Sequence, residues 1–185
     1  MARIEYKNDK TRAIEEQEGS DGRANVSSRS DNRAYYNSRD AKQAYSVPYN
    51  HQSAAAGEFS LYIENTSSTK ELVITSAGIN AVEDGRIKLW FVEGIAAGGA
   101  ALTPTNLNKG SSNDADAIIR EGAAGDAITG LTTLGLIDFA AAPAMGHDEF
   151  RLHDTVRLGQ NDAIAIEYDE GTTGDFYGVA FMYFE

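Results

Sequence analysis

The chain has 185 residues, 16 Lys+Arg against 28 Asp+Glu, a formal net charge of −12 and no cysteine. That length suits one domain with an appendage; the absence of thiols excludes disulfides and thiolate metal centres, and an acidic chain repels nucleic acid and anionic membranes. The opening MARIEYKNDKTR has no apolar stretch of the signal-peptide kind, and no run reaches the roughly 18 apolar residues of a membrane helix, so we expect a soluble chain made in the cytoplasm.

The charge is unevenly placed. Residues 1–53 hold 9 Lys+Arg and 8 Asp+Glu, which leaves 7 against 20, a net of −13, for the remainder. Large aliphatics are sparse before residue 58 (Ile4, Ile14, Val26, Val47), and such a segment buries too little apolar area to offset its ordering entropy alone. We therefore expect an extended N-terminal arm over 1–57 and a folded body over 58–185. The stretch SSRSDNRAYYNSRDAKQAYSVPYNHQ (27–52) concentrates Arg29, Arg33, Arg39, Tyr35, Tyr36, Tyr45 and Tyr49. Tyr and Arg are enriched at interfaces, where each covers apolar area while keeping hydrogen-bonding groups. These seven residues are the expected partner-binding set of the arm.

The body reads as β. In FSLYIEN, Phe59, Leu61 and Ile63 alternate with Ser60, Tyr62 and Glu64, a period of two. NTSSTK (65–70) is a turn-rich loop, and ELVITSAGI (71–79) is β-branched. Asp84-Gly85 predicts a hairpin from that run into RIKLWFVEG (86–94). IAAGGAAL is a loop of small residues, TPTNLN (103–108) an extended polar connection, and DADAIIREG (114–122) reads as a strand rather than a helical turn. LTTLGLIDFA (131–140) carries too few charges for a surface helix; DEFRLHD, TVRLGQ and DAIAIEYDE follow as short runs. In the closing DFYGVAFMYFE, Phe176, Gly178, Ala180, Met182 and Phe184 form one face and Tyr177, Val179, Phe181 and Tyr183 the other. Neither face is polar, unlike a strand with one solvated side, so we expect a loop, the arm or a second subunit to cover one of them. Phe176, Tyr177, Phe181 and Tyr183 are the expected oligomer interface. About eight to ten short strands with almost no amphipathic helix predict an all-β antiparallel β-sandwich, jelly-roll-like, with an extended N-terminal arm.

The sequence presents no catalytic constellation, and we expect no catalytic residue, no metal site and no cofactor. His147 and His153 lie six residues apart, about 20 Å along a strand, and cannot share an ion unless the chain turns. Ser67-Ser68-Thr69-Lys70 matches S-x-x-K but falls between two strand patterns instead of opening a helix. Asn113-Asp114-Ala115-Asp116 and Asp169-Glu170 offer oxygen ligands without an EF-hand spacing. Trp90, the single tryptophan, would be a sugar-stacking platform if exposed and a packing residue if half-buried.

Two longer runs, FSLYIENTSSTKELVI and KLWFVEGIAAGGAALTPTNLNKGSSNDADA, resemble a set of uncharacterised structural proteins of tailed bacteriophages, over roughly residues 20–121. The NTSSTK and TPTNLN loops carry the resemblance most clearly. It implies a strand-rich virion protein at the head or its accessory positions, with no catalytic motif to transfer. The expectation is a capsid decoration or cement protein that binds the major capsid protein or another virion protein. It would form a homo-oligomer, with a trimer as the working order, and would contact neither nucleic acid nor membrane. A head-fibre, tail or baseplate component acting as a carbohydrate- or receptor-binding module is the alternative, and an enzyme such as a polysaccharide depolymerase is a third reading.

Overall fold

The computed structural model describes residues 5–7, 14–16, 37–53, 58–81, 85–94, 96, 98–122, 128–139, 146–171 and 174–185. The chain divides into two units, Met1–Asp31 and Asn32–Glu185. In the first, β1 (Glu5–Lys7) and β2 (Ile14–Glu16) pair antiparallel with Tyr6 opposite Glu15.

The described part of the second unit starts with a five-residue π-helical turn, Asn37–Ala41, and then runs almost entirely in strands. Eight of these are long: β3 (Ala44–Ser53), β4 (Glu58–Asn65), β5 (Leu72–Ala81), β6 (Gly85–Glu93), β10 (Thr129–Phe139), β11 (Gly146–Leu158), β12 (Ala163–Gly171) and β13 (Gly174–Phe184). Between β6 and β10 lie the short β7 (Ala100–Ala101), β8 (Thr105–Asn106) and β9 (Ala117–Glu121). One sheet has the order β10-β6-β12-β4-β9-β7 and the other β11-β5-β13-β3-β8, and every pairing is antiparallel.

Among the eight long strands, each link but one crosses from sheet to sheet. The exception is β6 to β10, which are neighbours in the six-stranded sheet and carry β7–β9 between them. That is the double Greek key of a jelly roll. The period-two pattern explains the layering. From the five-stranded sheet, Tyr45, Val47, Tyr49, Leu72, Ile74, Ile79, Phe176, Ala180, Met182 and Phe184 pack inward. Leu61, Ile63, Ile87, Leu89, Ile164, Ile166 and Tyr168 meet them from the other sheet. Each fully buried Leu, Ile or Phe among them contributes about 1.5–3 kcal/mol.

The six-stranded sheet carries a second, smaller cluster. Phe59, Tyr62, Val92, Ala163 and Ala165 are closed over by Ala96 and Ile128 from the β6–β10 link. Hence DAIAIEYDE lacks polar alternation: Ile164 and Ile166 lie in the central core, and Ala163 and Ala165 lie in this outer cluster.

Several expectations change. The arm does not reach residue 57, because β3 pairs residue by residue with β13 from Ala44↔Tyr183 to Ser53↔Gly174. Tyr45 and Tyr49 are therefore core residues, 1% and 4% exposed, and not side chains of an extended arm. Their hydroxyls are tied down: Tyr45 donates to the Asp114 carbonyl (3.0 Å) and Tyr49 to the Gly78 carbonyl (3.0 Å). Pro48 fits because β8 pairs β3 only at Tyr45 and Ser46, leaving the rest of β3 as an edge, where proline is tolerated. Arg29, Arg33, Tyr35 and Tyr36 lie outside the described residues, and only the backbone of Arg39 is described.

Phe59 does not share a face with Leu61 and Ile63. A register shift opposite Ile166 and Glu167 inserts Ser60 and sends Phe59 to the outer cluster. The Asp84-Gly85 hairpin is not formed either, since β5 and β6 belong to different sheets; Asp84 itself lies outside the described residues. DEFRLHD and TVRLGQ are one strand, β11, broken between Arg151 and Val156, where His153 and Asp154 take positive φ of 46° and 60°.

Candidate docking surface on the five-stranded sheet

β13 lies at the centre of the five-stranded sheet, and its two faces meet different surroundings. Phe176 points into the core against Tyr168, with ring centroids 4.7 Å apart. Tyr183 points outward but is fully buried with Ala44 and Val73, at the end of the sheet where the Asn37–Ala41 turn packs on β3 and β13. The turn is held there by the Gln43 N–H donating to the Asn37 carbonyl (2.8 Å) and the Phe184 N–H donating to the Gln43 carbonyl (3.0 Å). Phe176 and Tyr183 are thus removed from the expected oligomer interface: neither side chain reaches solvent. Tyr177 and Phe181 remain on it, with Val179 between them.

These residues line an open groove of about 490 Å³ together with Pro48, Tyr49, Asn50, Gly78, Asn80, Glu149 and Gly178. Phe181 is 40% exposed, one of four large apolar side chains so exposed among the described residues. Two of the lining residues, Gly78 and Gly178, add no side chain to it. A Cβ at Gly178 would collide with the Gly78 carbonyl and lie 2.9 Å from the Tyr49 hydroxyl. Burial pushes the Tyr49 phenol well above its ordinary pKa, so it stays a neutral donor to Gly78. Polar groups edge the groove: the Asn80 amide donates to the Tyr177 carbonyl (3.2 Å), the Asn50 N–H to Glu121 Oε2 (2.9 Å), and Arg151 Nε to Glu149 Oε2 (3.0 Å). Such a surface can bury aromatic and aliphatic area and place a few hydrogen bonds around it, which is the anatomy of a recognition patch.

The other candidate residues are scattered. The Trp90 ring is half-buried, its indole N–H donates to Glu167 Oε2 (2.6 Å), and Lys88 Nζ sits 5.2 Å from its centroid. That leaves it a packing residue instead of an open platform. His51 meets Glu58 at 3.1 Å, and His153 is exposed on β11. Among the described residues no cluster of three or more His, Asp or Glu is placed to hold a metal ion.

The two loops most distinctive in sequence are organised by asparagines. Asn65, fully buried, donates from Nδ2 to the Lys70 (2.9 Å) and Leu158 (2.8 Å) carbonyls and accepts the Ser67 N–H (2.9 Å). In TPTNLN, Asn106 Nδ2 bonds the Lys42 (2.9 Å) and Asn113 (3.1 Å) carbonyls, and Asn108 Nδ2 bonds the Ser38 carbonyl (3.1 Å). Ser67-Ser68-Thr69-Lys70 is thus a loop closed by Asn65. From sequence, NTSSTK reads as a turn-rich loop and TPTNLN as an extended polar connection; the paired Asn106-x-Asn108, with an Asx-type bond from the Asn108 N–H to Asn106 Oδ1 (2.9 Å), was the available signal.

No family model, curated protein or solved structure matches the chain.

Proposed function

We propose that this protein is a structural component of a tailed-phage virion, made in the host cytoplasm and attached to the head as a decoration or cement protein. The observation that carries the reading is the groove on the outer face of the five-stranded sheet, where Phe181 is exposed beside half-buried Tyr177 and Val179 at the centre of a jelly roll. A central strand exposing aromatic area is a surface awaiting a partner. The resemblance of the NTSSTK and TPTNLN runs to phage structural proteins supports it, and so does the use of jelly rolls in viral capsid proteins, although the fold alone assigns no function.

The action would be mechanical. The β13 face docks on a capsid subunit or a neighbouring copy, while Arg29, Arg33, Arg39, Tyr35 and Tyr36 give the N-terminal segment a second point of attachment. Two modest contacts on one chain add through effective concentration. The test is co-sedimentation of the purified full chain with phage particles that lack it. Saturable binding at fixed stoichiometry is expected; no binding to particles at any concentration would reject the reading.

A second reading has its own observation. An aromatic pair, Tyr177 and Phe181, beside Asn50, Asn80 and Glu149 is also the residue mix of a carbohydrate site, which suits a fibre or baseplate module. Glycan-array binding that is lost in Phe181→Ala but kept in Trp90→Ala would favour it over the capsid role.

A further inference from the structure

We propose that β10 is a second interaction surface, at which two copies of this chain pair edge to edge, antiparallel about a two-fold axis. A sheet edge presents unpaired N–H and C=O groups, and proteins protect such edges by keeping them short, charged or broken. The other edges of the two large sheets are protected, and the open length of β3 beyond Ser46 carries Pro48. β7 and β8 are two residues each, and β11 carries Asp148, Glu149, Arg151, Asp154 and Arg157 and is broken at His153 and Asp154. β10 is different. Among the described residues it pairs on one side only, with β6, and its stretch TGLTTLGLI (129–137) holds no charge.

The side chains match the same reading. Leu131 and Leu136 are 43% and 47% exposed, whereas Leu134 and Ile137 pack toward the core. Thr133 and Leu136 stand opposite Trp90 and Lys88, two residues apart on β6, because a register shift inserts Leu134 between them. That shift brings Leu136 to the face of Thr133; Leu131, two residues before Thr133 and beside a second shift between Thr129 and Thr132, is exposed with it. An axis between Thr133 and Leu134 sets Leu131 of each strand opposite Leu136 of the other.

Charge selects the occupant. Copies of a chain with net charge −12 repel one another, and an uncharged strip about 30 Å long is where two can approach without placing carboxylates together. The N-terminal segment is the poorer occupant, since Val26 is the only aliphatic larger than alanine between residues 17 and 36. The pairing follows from the edge alone and does not depend on a virion role. A two-fold contact fits a trimeric protein only as a link between trimers.

The test is the mass of the full chain by light scattering and sedimentation velocity, with circular dichroism to confirm folding. The wild type is expected to assemble with an even number of chains, and Leu131→Lys with Leu136→Lys to halve that mass by setting like charges opposite one another. The corresponding Leu131→Glu, Leu136→Glu chain is expected to behave the same way alone, and a mixture of the two to recover the wild-type mass. A folded wild type that stays monomeric or odd-numbered up to about 1 mM, the weak limit of specific association, would overturn the proposal. So would an unchanged mass in the folded lysine variant, or a mixture that fails to recover.

Discussion

Replacing Asn65 by Leu is the sharpest probe of how the jelly roll is held at one end. The side chain sits at 0% exposure where β4 meets its loop, and it joins that loop to the end of β11. Leucine keeps the volume and removes every hydrogen bond. Three partners are then orphaned: the Lys70 and Leu158 carbonyls and the Ser67 N–H. A buried polar group left unpaired costs about 1–3 kcal/mol, and the Lys70 carbonyl recovers part of its share from water, so the loss is about 3–5 kcal/mol. Against a domain stability of about 5–15 kcal/mol this is large. The midpoint of thermal unfolding is expected to fall by roughly 6–20 °C. Asn65→Asp should cost a similar amount, because it turns a donor that faces two carbonyls into an acceptor. Urea unfolding followed by Trp90 fluorescence measures the loss directly. A change below about 1 kcal/mol with an unaltered denaturant slope would refute the claim that Asn65 pins these loops.

Truncation tests the revised boundary: a chain beginning at Asn37 is expected to fold cooperatively, whereas one beginning at Glu58 loses β3 with Tyr45, Val47 and Tyr49 and is expected not to, as circular dichroism would report. Gly178→Ala places a methyl against the Gly78 carbonyl and should destabilise the body by about 1–3 kcal/mol in the same urea assay. Tyr49→Phe removes one hydrogen bond and should cost about 1 kcal/mol at neutral pH. Its pH dependence has a definite sign. Burial raises the Tyr49 pKa above its ordinary 10, so the unfolded chain ionises first; the stabilisation is complete below about pH 10 and declines by about 1.4 kcal/mol per pH unit above it. Phenylalanine lacks that decline, so the difference between wild type and Tyr49→Phe should shrink and then reverse in alkaline melts.

Much of the body was legible because strands of a sandwich alternate. Leu61 and Ile63, Ile87 and Leu89, and Ile164 and Ile166 each follow the period of two and each face the core. β3 was hidden because its inward residues are Tyr45, Val47 and Tyr49, so a count of aliphatics reads it as surface. Its alternation, Tyr-x-Val-x-Tyr, was the better signal. Phe59 was placed on the wrong face because a single inserted residue, Ser60, reverses parity, and nothing local announces a bulge. The apolar character of both faces of β13 was visible. What divides them was not: Tyr183 is buried beside a helical turn some 140 residues earlier in the chain, a contact that only tertiary structure creates.

A titration of phage particles lacking this protein with the full chain and its Phe181→Glu variant tests the β13 groove as a docking surface most directly. Phe181 is exposed, so the variant should melt with the wild type. It should nevertheless bind roughly a hundredfold more weakly, because docking would desolvate a carboxylate at a cost of about 3 kcal/mol. Equal affinity of the two folded chains would contradict the account.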